Sequence, residues 1–273
     1  MLFDSAAATL IEFGQNPRWL GGTIGVTAVL HTWGQTLTQH LHVHCLVTGG
    51  ALTPDGHWIH PRRGFLFPVK ALSQVFRGKC IADLKRAFDS GALALAGSTA
   101  AFAEARNRAA LLTALYAQPW VVYAKRPFAG PEQVLAYLGR YTHRIALTNN
   151  RLLSFDEHAV RLRYKDYAAG GRRKVMSLQT HEFIRRYLLH VLPTGFMRIR
   201  HYGLLANRVK HHRLAQACAA LHASPPEAPA AAETVETFWL RIANLDIQRC
   251  PYCASGRLQP VATLVPRAQS PPS

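Results

Sequence analysis

The stretch Gln39-His40-Leu41-His42-Val43-His44-Cys45-Leu46-Val47 alternates polar and apolar side chains. In an extended strand, side chains two positions apart share a face. His40, His42 and His44 then point one way, and Leu41, Val43 and Cys45 point the other way, toward a core. Imidazoles aligned on a rigid strand form a platform for a metal ion. A half-buried strand that merely carries histidines on its polar face would read the same, so the pattern does not decide alone.

A second group lies about a hundred residues further on. Tyr137 and Tyr141 are four apart in PEQVLAYLGRYTHR (131–144), so a helix puts both phenols on one face, one turn apart. Arg140, His143 and Arg144 lie between and after them. A tyrosine hydroxyl can attack a phosphodiester and become covalently attached, conserving the energy of the cleaved bond. A free phenol has a pKa near ~10 and is a weak nucleophile at neutral pH. It needs a cation on the scissile phosphate, which a metal on the histidine strand would supply. A bridging metal and phosphate ask for roughly 4–8 Å between the imidazoles and the hydroxyls. The same tyrosines would also suit an ordinary half-buried aromatic pair on an amphipathic helix.

Charge narrows the substrate. Lys and Arg number 32 against 15 Asp and Glu, a net charge of +17 in 273 residues, 49% of them hydrophobic. Such an excess favours a polyanionic partner, nucleic acid first. A metal-dependent hydrolase unrelated to DNA would explain the histidines but not the charge. A non-catalytic basic DNA-binding protein would explain the charge but not the two clusters. Arg140, Arg144 and Lys165 are the candidate phosphate contacts, beside the tyrosines or on the next basic strand. Tyr164, Tyr167, Tyr187 and Tyr202 are candidates for stacking on exposed bases. The five scattered cysteines, with no signal peptide and no run of apolar residues able to span a bilayer, fit a reducing, cytoplasmic setting without membrane attachment.

The elements that must position these groups follow from periodicity. Helices are expected at 2–13, 69–90, 99–118, from Pro131 through the tyrosines, at 180–191 and at 204–223. Strands are expected at 23–32, over the histidine stretch, at 120–124 as a buried strand, and in a basic meander at 145–148, 151–155, 160–164 and 172–177. Thr53-Pro54-Asp55-Gly56 marks a hairpin turn. The predicted fold is α+β: a central antiparallel sheet with the His-x-His strand in the middle, helices on one face, the tyrosine helix across the other, and a helical C-terminal part. Residues 1–223 are expected to form the catalytic domain and 224–234 a linker. Residues 235–273 then make a short segment with a Cys250-Pro251-Tyr252-Cys253 pair and a disordered tail. That pair resembles half of a zinc site, which Cys218, a nearby histidine or another chain would complete.

The stretches QHLHVHCLVTGGAL (39–52), FLFPVKALSQVFRGK (65–79), VVYAKRPFAGPEQVLAYLGRYTHRIALTNNRL (121–152) and EFIRRYLLHVLPTGFMRIRHYGLLANR (182–208) resemble the two-tyrosine rolling-circle insertion-sequence transposases, within the HUH single-strand endonucleases (H histidine, U hydrophobic). The resemblance maps the HUH motif to His42-Val43-His44 and the paired nucleophiles to Tyr137 and Tyr141. It implies Mg²⁺ or Mn²⁺ held by the histidines and a third polar ligand; His40, Gln39 and an acid from another strand are the candidates. It also implies single-stranded DNA at transposon ends as substrate, cut to leave a 5′-phosphotyrosine and a free 3′-hydroxyl. Relatives of this kind begin with a cysteine-rich zinc-binding region. On that comparison the chain reads as an N-terminally shortened copy whose histidine strand has lost its neighbouring strand.

Overall fold

The computed structural model describes residues 1–62, 66–142, 146–224, 233–253 and 255–259; of residues 140–142 it describes the backbone alone. The chain divides into two compact units, Met1–Ser224 and Pro225–Ser273. The fold is α+β with antiparallel sheets.

In the first unit, helix α1 (Leu2–Gln15) precedes strand β1 (Gly25–Trp33) and strand β2 (Gln39–Val47). β1 is buried at every position up to Trp33, as its run of β-branched and small apolar residues requires of a central strand. Accordingly the first sheet has the order β2-β1-β8, with β8 at Ile199–Gly203. The histidine strand is therefore an edge strand, not the middle one. Its alternating polarity reflects one covered and one open face of the sheet and does not fix its place in the strand order. Its neighbour is present: β1 pairs with it from Val26↔Val47 through His31↔His42. Leu41, expected in the core, is instead 63% exposed at the start of β2.

One face of this sheet is closed by α1. Phe3, Ala28 and Leu30 are buried there, with Val43, Cys45 and Tyr202 packed on them. A second cluster around Phe13, Ile24, Val26, Ala51 and Leu72 ties α1 to the β3–β4 hairpin (Ala51–Leu52, Trp58–Ile59) and to α2 (Val69–Asp89). The buried Ser5 hydroxyl donates to Asp83 Oδ2 at 2.6 Å, pinning α1 to α2. β8 falls just before the helix expected at 204–223, in a stretch for which no strand was expected. It ends at Gly203, whose φ of +61° and close approach to the Ile24 backbone leave no room for a side chain. The helix after it, α6, spans only Lys210–Ala220.

A second sheet, β5-β6-β7 (Leu152–Phe155, Ala159–Asp166, Arg172–Gln179), carries helix α5 (Thr180–Leu188) on one face. Its core is Val160, Leu162 and Leu178, with Phe183 and Tyr187 beside them. Leu37, from the β1–β2 turn, is fully buried in that same core with φ +58°. A left-handed conformation costs a non-glycine residue about 1–2 kcal/mol, and burying a leucine returns about 1.5–3 kcal/mol, so burial wins. Polar contacts fasten the same turn: Arg186 Nη1 to Thr36 O at 3.1 Å, Arg151 to Gln35 O, and the buried His190 to Leu37 O and Thr32 Oγ1, both 3.1 Å.

Helix α3 covers Ala105–Ala117, preceded by a 3₁₀ segment at Gly97–Ala103. The buried strand expected at 120–124 is not one: Val121 is 92% and Tyr123 78% exposed, and the segment joins no ladder. Trp120 and Val122 alone turn inward, Trp120 against Phe76 and Val122 onto the first core. The strand expected at 145–148 is likewise irregular over 146–148, and residue 145 lies outside the described residues. Helix α4 (Pro131–Thr142) follows with Val134, Tyr137 and Leu138 half-buried on one side.

In the second unit, α7 (Val235–Ala243) is capped by the Thr234 hydroxyl accepting from the Thr237 N–H at 3.2 Å.

Candidate active site

Antiparallel pairing about the β1–β2 turn sets His31 directly opposite His42 and Val29 opposite His44. Cross-strand partners share a face, so three imidazoles meet on the side of the sheet away from α1. Ring centroids are 4.4 Å apart for His31 and His44, 5.0 Å for His42 and His44, and 5.3 Å for His31 and His42. One nitrogen from each lies within 4.8 Å of the others, a group able to hold a metal ion. Among the described residues it is the one such cluster of three or more His, Cys, Asp or Glu side chains.

His31 is the ligand candidate that sequence reasoning missed. It is buried, 4% exposed, and stacks on Trp33 at 4.5 Å. Its signal was available: in a two-stranded hairpin closed around residues 36 and 37, position 31 must face position 42. The other candidates fall away from the cluster. His40 is exposed, with its ring 4.8 Å from that of His42 and its carbonyl 2.7 Å from His42 Nδ1. Gln39 is an exposed residue at the start of β2. A further histidine, His201, lies on the same face of β8, hydrogen-bonded to Thr27 at 2.9 Å.

Burial of the His44 ring, then the charges of His31, His42 and Lys125, hold its pKa down to about 4. Burial also lowers His42, and the nearby His40 adds to this, although the contact with the His40 carbonyl works the other way. Both rings are therefore neutral at pH 7, the state in which imidazole binds metal. Cys45, on the opposite face, has its thiol pushed up to about 12 by burial. It is a core side chain, not a ligand.

α4 brings Tyr137 onto the histidine face: its hydroxyl is 3.0 Å from His44 Nδ1. The expected gap of roughly 4–8 Å is thus closed to direct contact, since phenol and imidazole satisfy each other when nothing lies between them. Phe128 packs on the Tyr137 ring at 5.2 Å, and Lys125 Nζ lies 6.0 Å from its centroid. Lys125 is a second residue that the sequence reading passed over; it looked like a basic exit from a strand that does not form. Tyr141 lies one turn further along α4, and its side chain, like that of Arg140, is outside the described residues. Arg144 is outside them altogether. Lys165 is exposed on β6, its backbone N–H donating to Gln35 Oε1 at 3.3 Å and its ammonium over the Tyr167 ring at 5.2 Å.

In the second unit, Cys250 and Cys253 sit in a small hairpin closed by Cys250 N–H to Gly256 O at 2.9 Å and by an Arg249↔Arg257 bridge. The backbone N–H groups of Tyr252 and Cys253 lower the Cys250 pKa. No third described metal ligand joins the pair.

Comparison with known proteins places the chain in a family. Residues 25–213 match the Y2 transposase family model, described as "Putative transposase", and the chain belongs to that family. A protein named "Putative transposase y4qJ" from Sinorhizobium fredii is 47% identical over 262 residues, 94% of this chain and 66% of its own length. The transposase for insertion sequence element IS801 from Pseudomonas savastanoi pv. phaseolicola is 26% identical over 259 residues, 93% of this chain and 60% of its own length. The chain thus spans under two thirds of these relatives. No solved structure matches it. Among the described residues, no helix is long and apolar enough to cross a membrane.

Proposed function

We propose that this chain carries the catalytic centre of a rolling-circle-type transposase, nicking and rejoining single-stranded DNA through a phosphotyrosine. The observation that carries this reading is the Tyr137 hydroxyl 3.0 Å from a ring of a three-histidine cluster. His31, His42 and His44 would hold the divalent cation. Three imidazoles fit Mn²⁺ better than Mg²⁺, which prefers oxygen ligands. A cation held there would supply positive charge to the scissile phosphate.

The rest falls to the chain's own side chains. Tyr137 Oη forms a bond to phosphorus as the bond from phosphorus to the 3′-oxygen breaks, and the phenolic proton is carried over to that departing oxygen. The products are a 5′-phosphotyrosine and a free 3′-hydroxyl. Neutral His44, protonated on Nδ1, would donate to Tyr137 Oη and fix the phenol's direction. Lys125, its ammonium 6.0 Å from the Tyr137 ring centroid, would offset negative charge gathering on the phosphate. Tyr141, on the same helix, is the second nucleophile for the reverse transfer. Arg140 and Arg144 are proposed phosphate contacts of the nicked strand, and Lys165, away from the cluster, a proposed phosphate contact elsewhere on the DNA. Zinc on Cys250 and Cys253 would need two ligands beyond those described.

The test is incubation of the intact chain with a labelled single-stranded oligonucleotide spanning a transposon end, with Mn²⁺. A covalent adduct that disappears in Tyr137→Phe combined with Tyr141→Phe supports the reading. No adduct, or one that survives both substitutions, leaves only a basic DNA-binding protein.

A further inference from the structure

The second sheet has a face that the site does not use. Strand β6 alternates: Val160 and Leu162 point into the core shared with α5, while Arg161, Arg163 and Lys165 are exposed on the other side. β7 pairs with it as Arg161↔Ser177, Arg163↔Val175 and Lys165↔Arg173. Because partners share a face, Arg173, Val175 and Ser177 lie beside the three cations, all exposed. None of Arg161, Arg163, Lys165 and Arg173 enters an ion pair among the described residues. The acid on these strands, Asp166, faces the other side and is bonded to Lys174 at 2.7 Å. Asp156 at the β5–β6 turn is engaged by the His158 and Ala159 N–H groups at 2.7 and 2.8 Å. A solvated protein face intersperses both signs; this one carries one sign only.

We propose that the outer face of the β6–β7 ribbon binds double-helical DNA, distinct from the single strand at the tyrosine site. This rests on the reading of the chain as a DNA transposase. A two-stranded ribbon is an element that the major groove of B-DNA admits, the groove being about 12 Å wide and the strands about 4.8 Å apart. Arg161, Arg163 and Lys165 recur every second residue, at about 6.8 Å, and phosphates along one strand of a duplex rise about 3.4 Å each. The row of cations thus lies against phosphates that border the groove, whose positions a stiff duplex fixes. A single strand, being flexible, is held instead by aromatic platforms, and this face has aliphatic Val175 and polar Ser177 between its cations. At the β6–β7 turn the ribbon is shaped for its load: Gly171, at φ +79°, leaves room for the Lys165 side chain, which lies over Tyr167.

The experiment measures binding of the full chain to a blunt 20-base-pair duplex and to a 20-residue oligothymidine across about 50–200 mM salt, a range over which phosphate contacts dominate the change. The variant combines Arg161→Ala, Arg163→Ala, Lys165→Ala and Arg173→Ala. A charge-matched control combines Lys70→Ala, Lys85→Ala, Arg86→Ala and Arg106→Ala. For duplex, the slope of log affinity on log salt should lose about 0.9 per phosphate contact, about 3.6 in total. Over that range the affinity of the unaltered chain then falls roughly 150-fold more than that of the variant. The control should keep the original slope, and the oligothymidine slope should shift by less than about 0.7, one single-strand contact. An unmoved duplex slope, an equal loss for oligothymidine, or an equal loss in the control each overturns the proposal. It stands apart from the nicking reading: a fallen duplex slope without any tyrosine adduct refutes nicking and keeps the ribbon, and the converse pair of results does the reverse.

Discussion

Replacing His31 tests whether a buried histidine on the neighbouring strand completes the metal site. His31→Phe keeps a ring against Trp33, 4.5 Å away, and removes both nitrogens. Closed four-ligand zinc sites are worth about 10–16 kcal/mol, roughly 2.5–4 kcal/mol per ligand. At about 1.4 kcal/mol per decade, loss of one imidazole should weaken Mn²⁺ binding by roughly 10²–10³-fold. His40→Ala is the comparison: that ring is exposed and outside the cluster, so its removal should change affinity by less than about threefold, the few tenths of a kcal/mol usual for a surface substitution. Calorimetric titration of the intact chain with Mn²⁺ measures both, and thermal unfolding verifies that the phenylalanine variant is folded. Wild-type affinity in His31→Phe with a large loss in His40→Ala would refute the three-histidine assignment.

Three further outcomes follow from the geometry. Lys125→Ala should slow adduct formation by roughly 10- to 100-fold, the worth of one charge-assisted contact of about 1.5–3 kcal/mol, with Lys125→Arg recovering much of it; single-turnover rates at saturating oligonucleotide decide this. Leu37→Ala should destabilise the chain by about 2–5 kcal/mol, whereas the exposed Leu41→Ala should change it by less than about 0.5 kcal/mol, both read from denaturant midpoints. Without metal, unfolded His44 takes up a proton near 6.5 but folded His44 resists protonation down to about 4. Between those values the unfolded chain binds more protons, so the His44 contribution to stability is complete above pH 6.5 and lost as pH falls toward 4. The fall should be smaller in His44→Phe, and an equal fall would show that other groups cause it.

Local signals were legible in the sequence where one face decides the pattern. The alternation over 39–47 gave the histidine strand, and Pro131 with the four-residue separation of Tyr137 and Tyr141 pointed to α4. The place of the histidine strand in its sheet was not legible, because strand order depends on pairings distant in sequence. β8 joins β1 across some 170 residues and carries arginine and histidine among its apolar positions, as in Arg200 and His201. The third imidazole was hidden by treating 33–39 as a passive connection; it is a tight turn anchored by Leu37 in a second core. Trp120–Ala124 misled because aromatic and β-branched residues favour strands only where a pairing edge exists. Lys125 could not be assigned from spacing, since a loop and a helix meet there only in three dimensions.

The central claim is that a metal held by the histidines sits beside the Tyr137 hydroxyl. Labelling the chain with 3-fluorotyrosine and titrating Mn²⁺ reads this directly, because a paramagnetic ion broadens nearby fluorine signals steeply with proximity. The resonance that Tyr137→Phe removes should broaden beyond detection at one equivalent of Mn²⁺ and stay sharp in His42→Ala combined with His44→Ala. A sharp Tyr137 resonance in the unaltered chain saturated with Mn²⁺ would contradict the account.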